Sequence, residues 1–408
     1  MTKFIHYLLI LFAFTLPINL NLINILPLVI FVLWLLEGDL PNKWQFIKQA
    51  KIFWYFIALM IILLLSFLWS DSIYHGFWHE RYHNGYEFWF RKYVYKFVIF
   101  PVLLTHVDKT LFKKMISAFL AGMLISEIVS YGIFFHFWQV GIGTPDDPSA
   151  FMHHVYYSAF LVFTIFVLLV RFQREKDKKW KLFYLLFASS AIVNLFINGG
   201  RTGQVAFIIA FIYFIFAHYK LTYKSLLATV AILLTIYFGA YTFSPVFQKK
   251  VAQTTEAYYK LAQGDMHSSI GGRLALYRTA WEIIKEHPLL GSGFGDVRDD
   301  VRRIQEEKFP NDAFINDLRH IHNQFLHTYL DAGIVGFLLI VLIASSVFVT
   351  NFGEFDIYAK IFGISFVTLF MVDVPLTFNI GYLYIWTFLG MFFGYKLHEK
   401  HYSSIKER

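Results

Sequence analysis

VYYSAFLVFTIFVLLV, residues 155–170, runs for sixteen positions without a charge and is followed by RFQREKDKKWK, 171–181, where six of eleven residues are Lys or Arg. Sixteen helical residues reach about 24 Å, most of a hydrocarbon core of about 30 Å. An apolar run that stops at a dense cationic cluster reads as a transmembrane helix emerging on the cytoplasmic side. Apolar stretches of similar kind lie near 4–16, 20–36, 52–69, 93–105, 115–138, 182–198, 203–217, 225–243, 325–349, 357–376 and 380–395. Pro17 with Asn19, and Pro375 with Asn379, split the first and last apolar blocks into hairpins, because Pro interrupts a helix and Asn favours a turn. The expected fold is an all-α polytopic membrane protein of about twelve spans.

Composition agrees. Of 408 residues 57% are apolar and 16% charged, and the mean hydropathy is +0.52, so the chain lacks the polar surface of a soluble globule of this size. An aromatic content of 20% fits lipid-facing helices with Tyr and Trp near the headgroups. With no cysteine there is no disulfide framework and no thiolate metal site. Phe4 to Leu16 has no small-residue cleavage site after it and is expected to be the first span rather than a removable signal peptide.

A net charge of +8 suggests nucleic acid only until the basic residues are located. They gather between spans, and no nucleic acid is expected. With a cytoplasmic N-terminus, the inner segments collect 20 Lys and Arg, against two, Arg81 and Arg201, in the short outer loops. That asymmetry obeys the positive-inside rule and puts both termini in the cytoplasm. Long translocated segments escape the rule, which covers residues 244–323 and their 11 basic residues.

The expected organisation is spans one to nine over 1–243, an outer helical domain over 244–324, spans ten to twelve over 325–396, and a cytoplasmic basic tail over 397–408. In the outer domain, Ser244 and Pro245 open a helix with Phe247, Val251, Thr254, Tyr258 and Leu261 at helical spacing. A second helix is predicted after Gly271-Gly272, with Leu274, Tyr277, Trp281 and Ile284 on one face and Arg278 paired to Glu282 at i,i+4 on the other. A third is predicted from Asp296, aligning Val297, Val301 and Ile304. The glycines at 291, 293 and 295 read as turn chemistry, since neither a preceding strand nor a following Lys-Ser/Thr makes them a phosphate loop.

Three places could carry chemistry. Asn198-Gly199-Gly200-Arg201-Thr202-Gly203 puts an arginine at the outer membrane face, where a charge usually has a partner; it either snorkels to headgroups or binds an anion such as a lipid diphosphate. Arg273 sits in the first turn of an outer helix, where free N–H groups and a cation favour an anion, or it is an ordinary solvated charge. Arg319-His320-Ile321-His322-Asn323 stands where the chain re-enters the membrane. There a histidine suits deprotonation of an alcohol near neutral pH; the H-x-H pair could instead hold a metal or line the headgroup region. No Asp, Glu or Cys accompanies the pair at ligand spacing in the chain, so no metal and no cofactor are expected. Arg278, Arg298, Arg302 and Arg303 have acidic neighbours and read as solvated faces. Glu127, His136 and Asp373 fall within expected spans without an assigned role.

The span-end Gly-Arg-Thr-Gly, the Gly-Gly-Arg-x5-Thr-Ala-Trp and Pro-Leu-Leu-Gly-Ser-Gly-Phe-Gly of the outer segment, His322-Asn323-Gln324-Phe325-Leu326 and Asp331-Ala332-Gly333-Ile334-Val335-Gly336 together resemble the O-antigen ligase and O-antigen polymerase superfamily of bacterial envelope glycosyltransferases. The resemblance is strongest over residues 190–345. It implies a multi-pass, GT-C-type, metal-independent inverting transferase of the bacterial inner membrane, acting at the periplasmic face on a glycan carried by undecaprenyl diphosphate. In the favoured ligase branch the acceptor is the lipid A core; in the polymerase branch it is another lipid-linked glycan. By motif, Arg201 and Arg273 hold the diphosphate and His322 is the base or acceptor-orienting residue, with Arg319, His320 and Asn323 nearby in the substrate site. Gly200 stands where the family more often has Ser. A lipid-linked oligosaccharide flippase is the alternative of another class; such proteins centre their polar groups near mid-membrane.

Overall fold

The computed structural model describes residues 1–18, 21–71, 85–218, 222–317 and 320–406. Asn19, Arg81 and the candidate ligand Arg319 lie outside the described residues. The first part of the chain forms α1 (Thr2–Thr15), α2 (Leu22–Leu36), the short α3 (Leu40–Ile47) and α4 (Lys51–Leu65). Then come α5 (Gly85–Trp89), α6 (Tyr95–Phe97) and α7 (Ile99–His106), with a π-helical turn over Phe90–Val94 between α5 and α6. Long helices follow: α8 (Lys109–Phe134), α9 (His154–Arg174), α10 (Lys178–Ile197), α11 (Arg201–His218) and α12 (Tyr223–Phe243). A more polar segment contains α13 (Pro245–Ala262), α14 (Ser269–Glu286) and α15 (Val297–Lys308), and the chain closes with α16 (Gln324–Val349), α17 (Asp356–Val372) and α18 (Asn379–Lys406).

Among the described residues, eight helices are long and apolar enough to cross a bilayer, the first being Lys51–Leu68 and the last Gly353–Val372. The other four expected spans are helical too. α1 and α2 are shorter apolar helices, the 93–105 stretch is spread over α6 and α7, and 380–395 falls inside α18. The chain is therefore an all-α polytopic membrane protein, as its composition requires.

Many helices start where a short polar side chain satisfies free N–H groups. Asp108 accepts from Leu111 N at 2.7 Å, Asp177 from Lys179 N at 2.7 Å, and Ser244 from Phe247 N at 3.1 Å. α9 is the hub: nearly every residue from Tyr156 to Val170 is buried, against α10, α11 and α17. α12 is the opposite case, with Thr229 its one buried residue, and faces outward.

The segment between α12 and α16 builds a small core of its own. Ala275, Leu276, Ala280 and Ile283 of α14 meet Val297, Val301 and Ile304 of α15, closed by Ile315, Ile321 and Leu330. The glycine-rich connection clips this core to the bundle. Gly291, Gly293 and Gly295 have φ of 71°, 119° and 101°, Ser292 N donates to Leu330 O at 2.8 Å, and Phe294 N donates to Ser66 Oγ at 3.1 Å. α16 kinks where it receives the clip: Gly333 has φ 64° and ψ −159°, and Ile334 N donates to Leu289 O at 3.1 Å. The turn reading of these glycines holds.

Several local expectations do not. α14 begins before Gly271-Gly272, because Ser268 caps it by accepting from Gly271 N at 3.0 Å. Its buried face is the one built on Ala275, Thr279 and Ile283, which leaves Leu274 41% and Trp281 60% exposed. Arg278 pairs with Asp312 rather than Glu282, while Glu282 engages Lys285 and Lys308. In α13, Phe247 is buried but Tyr258 is exposed. His136 lies beyond the end of α8 in a left-handed turn rather than in a span.

Candidate functional site

His320, Ile321 and His322 link the short turns at Pro310–Asp317 to α16. Ile321 is buried in the small core, while the flanking histidines are only partly buried. Both reach Asp373, just past the end of α17. His320 Nε2 lies 3.2 Å from Asp373 Oδ1, and His322 Nδ1 lies 3.7 Å from the same oxygen. Tyr156 OH, from the first turn of α9, donates to Asp373 Oδ2 at 2.9 Å.

Two further side chains hold the histidine loop. Tyr277 OH of α14 donates to His322 O at 3.1 Å and to Met371 O at 3.2 Å. Asn323 caps α16 by accepting from Leu326 N at 3.1 Å. His322 takes φ 52°, a left-handed conformation that costs a non-glycine residue about 1–2 kcal/mol and fixes where its ring points. Burial raises the Asp373 carboxyl, but the hydrogen bond with His320 and the nearby His322 imidazole outweigh it and hold the group well below the usual carboxylate range. His322 turns Nδ1 toward this carboxylate, which leaves Nε2 on the opposite side of the ring.

The second half of the site is cationic. Arg201, first residue of α11, donates from Nη1 to Thr254 Oγ1 at 3.0 Å and from Nη2 to Ser269 Oγ at 2.9 Å. Arg273 donates from Nη1 to Ser269 O at 3.5 Å, and its buried Nε has no partner. Ser269 thus stands between two guanidinium groups close enough to repel one another. Lys250 joins them: its Cε lies 3.3 Å from where a Cβ on Gly199 would be, and burial together with Arg201 lowers its pKa. Among the described residues, neither Arg201 nor Arg273 has a carboxylate at ion-pair distance, whereas Arg278, Arg302 and Arg303 are all so paired. Two adjoining cations without a carboxylate partner suit an anion with several oxygens.

α14 joins the two halves. Ser269, Arg273 and Tyr277 recur every four residues along one face, so the helix that carries Arg273 also bonds the backbone of His322. The Gly200 position has a steric reason: a Cβ there would stand 2.5 Å from Ser158 Cβ of α9. A side chain at 200 would push α11, and Arg201 with it, away from the bundle.

The fold therefore brings together Arg201 with Arg273, and His320 and His322 with Asn323. Sequence reasoning left Asp373 unassigned and passed over Tyr156, Lys250 and Tyr277. It also missed His154, whose Nδ1 lies 2.5 Å from Asp147 Oδ2, beside His153, whose pKa is lowered by burial first and also feels both Asp147 and Asp373. The expectation of no metal ligand set is corrected by the fold: the chain places no carboxylate near the H-x-H pair in sequence, but Asp373 arrives there in space. His320, His322 and Asp373 offer ligand atoms within 4.8 Å of one another, a set that could hold a divalent ion. Tyr156 and His320 already hydrogen-bond that carboxylate from within the protein. Glu127 is buried in α8 and accepts from Ser190 Oγ at 2.8 Å, away from this cluster.

The sequence model of the O-antigen ligase family matches residues 185–341, from α10 to the middle of α16. An uncharacterized protein of Haemophilus influenzae is 26% identical over 180 residues, 43% of this chain and 45% of that protein. An O-antigen ligase of Salmonella typhimurium is 26% identical over 298 residues, 72% of this chain and 69% of that enzyme. The chain thus spans less than half the length of the Haemophilus relative. The matched region contains Arg201, Arg273 and His322, and over it the chain is similar to the O-antigen ligase family.

Proposed function

We propose that the chain is a glycosyltransferase of the O-antigen ligase type, which moves a glycan from undecaprenyl diphosphate to a hydroxyl of the lipid A core at the periplasmic face of the bacterial inner membrane. The observation that carries this reading is the pairing of Arg201 and Arg273, without carboxylate partners, with a carboxylate-held histidine anchored by the same helix.

The chemistry follows from charge. The acceptor hydroxyl gives its proton to His322 Nε2 as its oxygen attacks the anomeric carbon, and the bond from that carbon to the diphosphate oxygen breaks with inversion. Asp373 stabilises the imidazolium that forms. Arg201 and Arg273, with Lys250 beside them, neutralise the charge developing on the departing diphosphate, the task a metal performs elsewhere. Both substrates are amphipathic, which suits a site where the α13–α15 segment meets the span ends. In this reading His320 and Asn323 shape the acceptor side.

The test is lipopolysaccharide from a deletion strain, run on a gel beside its undecaprenyl-linked pool. Core without O-antigen, with long polymer held on the carrier lipid, supports ligation. Core bearing a single repeat unit assigns the chain to polymerisation instead.

A further inference from the structure

At the far end of α9 from His154, a cavity of about 360 Å³ opens between α8, α9, α10 and α17. Lys113 and Ser117 line it from α8, Arg171 and Arg174 from the last turn of α9, Tyr184 from α10 and Tyr358 from α17. Arg171 Nη2 donates to Ser117 Oγ at 2.9 Å, and Arg174 Nη2 donates to the Glu354 carbonyl at 3.0 Å. Each guanidinium carbon also lies 6.0 Å from an aromatic ring, Tyr184 for Arg171 and Tyr358 for Arg174. These contacts fix the direction of both planar forks.

The lining sets Lys113, Arg171 and Arg174 against Glu175 and Glu354, a net charge of +1. Glu354, on the cavity rim, is engaged by Lys109 at 3.0 Å and Lys113 at 3.5 Å. Glu175 accepts from the backbone N–H of Lys176 at 2.8 Å and of Asp177 at 3.1 Å. Among the described residues, neither Arg171 nor Arg174 has a carboxylate at ion-pair distance, so two oriented cations face the same space. The cavity stands at the ends of four spans, and next to Tyr184 the outer face of α10 exposes Phe183 and Leu186 to the membrane. A ligand seated there has an anionic end among the arginines and an apolar end along α10.

We propose that this cavity binds the phosphodiester headgroup of an anionic glycerophospholipid from the leaflet on that side, with Arg171 and Arg174 as the phosphate ligands. Planar guanidinium groups match phosphate oxygens two at a time, and basic pockets between span ends are a recurring site for such headgroups. The bound lipid bridges α8, α9, α10 and α17. Two of these carry site residues at their other ends, Tyr156 on α9 and Asp373 just past α17, but the proposal stands independently of the transferase reading.

The experiment is native mass spectrometry of the full chain in mild detergent, mixed with equal amounts of phosphatidylglycerol and phosphatidylcholine. Wild type is expected to retain the anionic lipid over the zwitterionic one by roughly tenfold or more. Arg171→Gln with Arg174→Gln abolishes the preference, Lys249→Gln at an exposed site elsewhere leaves it intact, and the paired Lys substitutions restore part of it. Arg174 is exposed, so Arg174→Gln alone folds and lowers the ratio by about threefold or more. Equal retention of both lipids by wild type, or an undiminished ratio in Arg174→Gln, overturns the proposal. Displacement of the lipid by millimolar inorganic phosphate assigns the cavity to free phosphate and overturns the lipid assignment.

Discussion

His320 and Asp373, 53 residues apart in the chain, meet at 3.2 Å between Nε2 and Oδ1. Their contact ties the loop before α16 to the end of α17 and sets His322 against the same carboxylate. Asp373→Asn keeps the shape but not the charge. The expected outcome is a loss of transfer of roughly 10² to 10⁴-fold with normal membrane accumulation, because the histidine loses the partner that stabilises its protonated form. Undiminished transfer in an in vitro assay would remove Asp373 from the mechanism.

The same carboxylate predicts a pH signature in stability. Its pKa is depressed in the folded protein, with burial opposing and His320 and His322 prevailing. Its contribution is therefore fully present above the unfolded value of about 3.9 and is lost as pH falls through the folded value. Wild type should melt above Asp373→Asn at pH 7 and at pH 5, and the gap should close only below about pH 4. A gap that closes between pH 7 and 5 contradicts the assignment.

Arg201→Ala and Arg273→Ala should each reduce transfer by about 10² to 10³-fold, the usual cost of one donor to a developing oxyanion. Arg201→Lys should recover only part, since lysine keeps the charge without the planar fork. Arg302→Ala, whose wild-type partner is Glu306 at 3.0 Å on an exposed surface, is the control. Equal damage in the control means that the segment is merely fragile.

Chelation separates the two uses of His320, His322 and Asp373. If the cluster acts as a carboxylate-held base, transfer persists in EDTA. Loss of activity that a divalent ion restores makes the cluster a metal centre.

The kink in α16 offers a test that does not involve substrate. Gly333 occupies a backbone region essentially reserved for glycine, and a Cβ there would stand 2.0 Å from Leu289 O. Gly333→Ala should cost about 1–3 kcal/mol and lower the melting temperature of the detergent-solubilised protein. An unchanged melting temperature would mean that the clip between the glycine-rich turn and α16 is not rigid.

Much of this fold was legible because each decision was local. Hydropathy over windows of about twenty residues located the spans, and Ser244 announced the helix it caps. Arg201, Arg273 and His322 were legible as charged or titratable residues at span or helix ends, where an unneeded charge is costly. Asp373 carried the same signal at the end of α17, but its meaning depended on His320 and His322, which only tertiary packing brings to it. On α14, Leu274 and Trp281 follow a helical spacing yet point outward; periodicity marks a stripe but does not say which side the neighbours occupy. Arg278 found Asp312 instead of the nearer-in-sequence Glu282, since a stacked position over Phe309, 3.9 Å from the ring centroid, holds its guanidinium elsewhere.

The most direct measurement is the lipopolysaccharide of a deletion strain complemented with wild type, His322→Ala or Arg302→Ala, with the undecaprenyl-linked pool analysed in parallel. Wild type and Arg302→Ala should restore O-antigen on the core, while His322→Ala, inserted at the same level, should leave bare core and long polymer on the carrier lipid. O-antigen restored in full by His322→Ala would contradict the central claim that this histidine activates the acceptor.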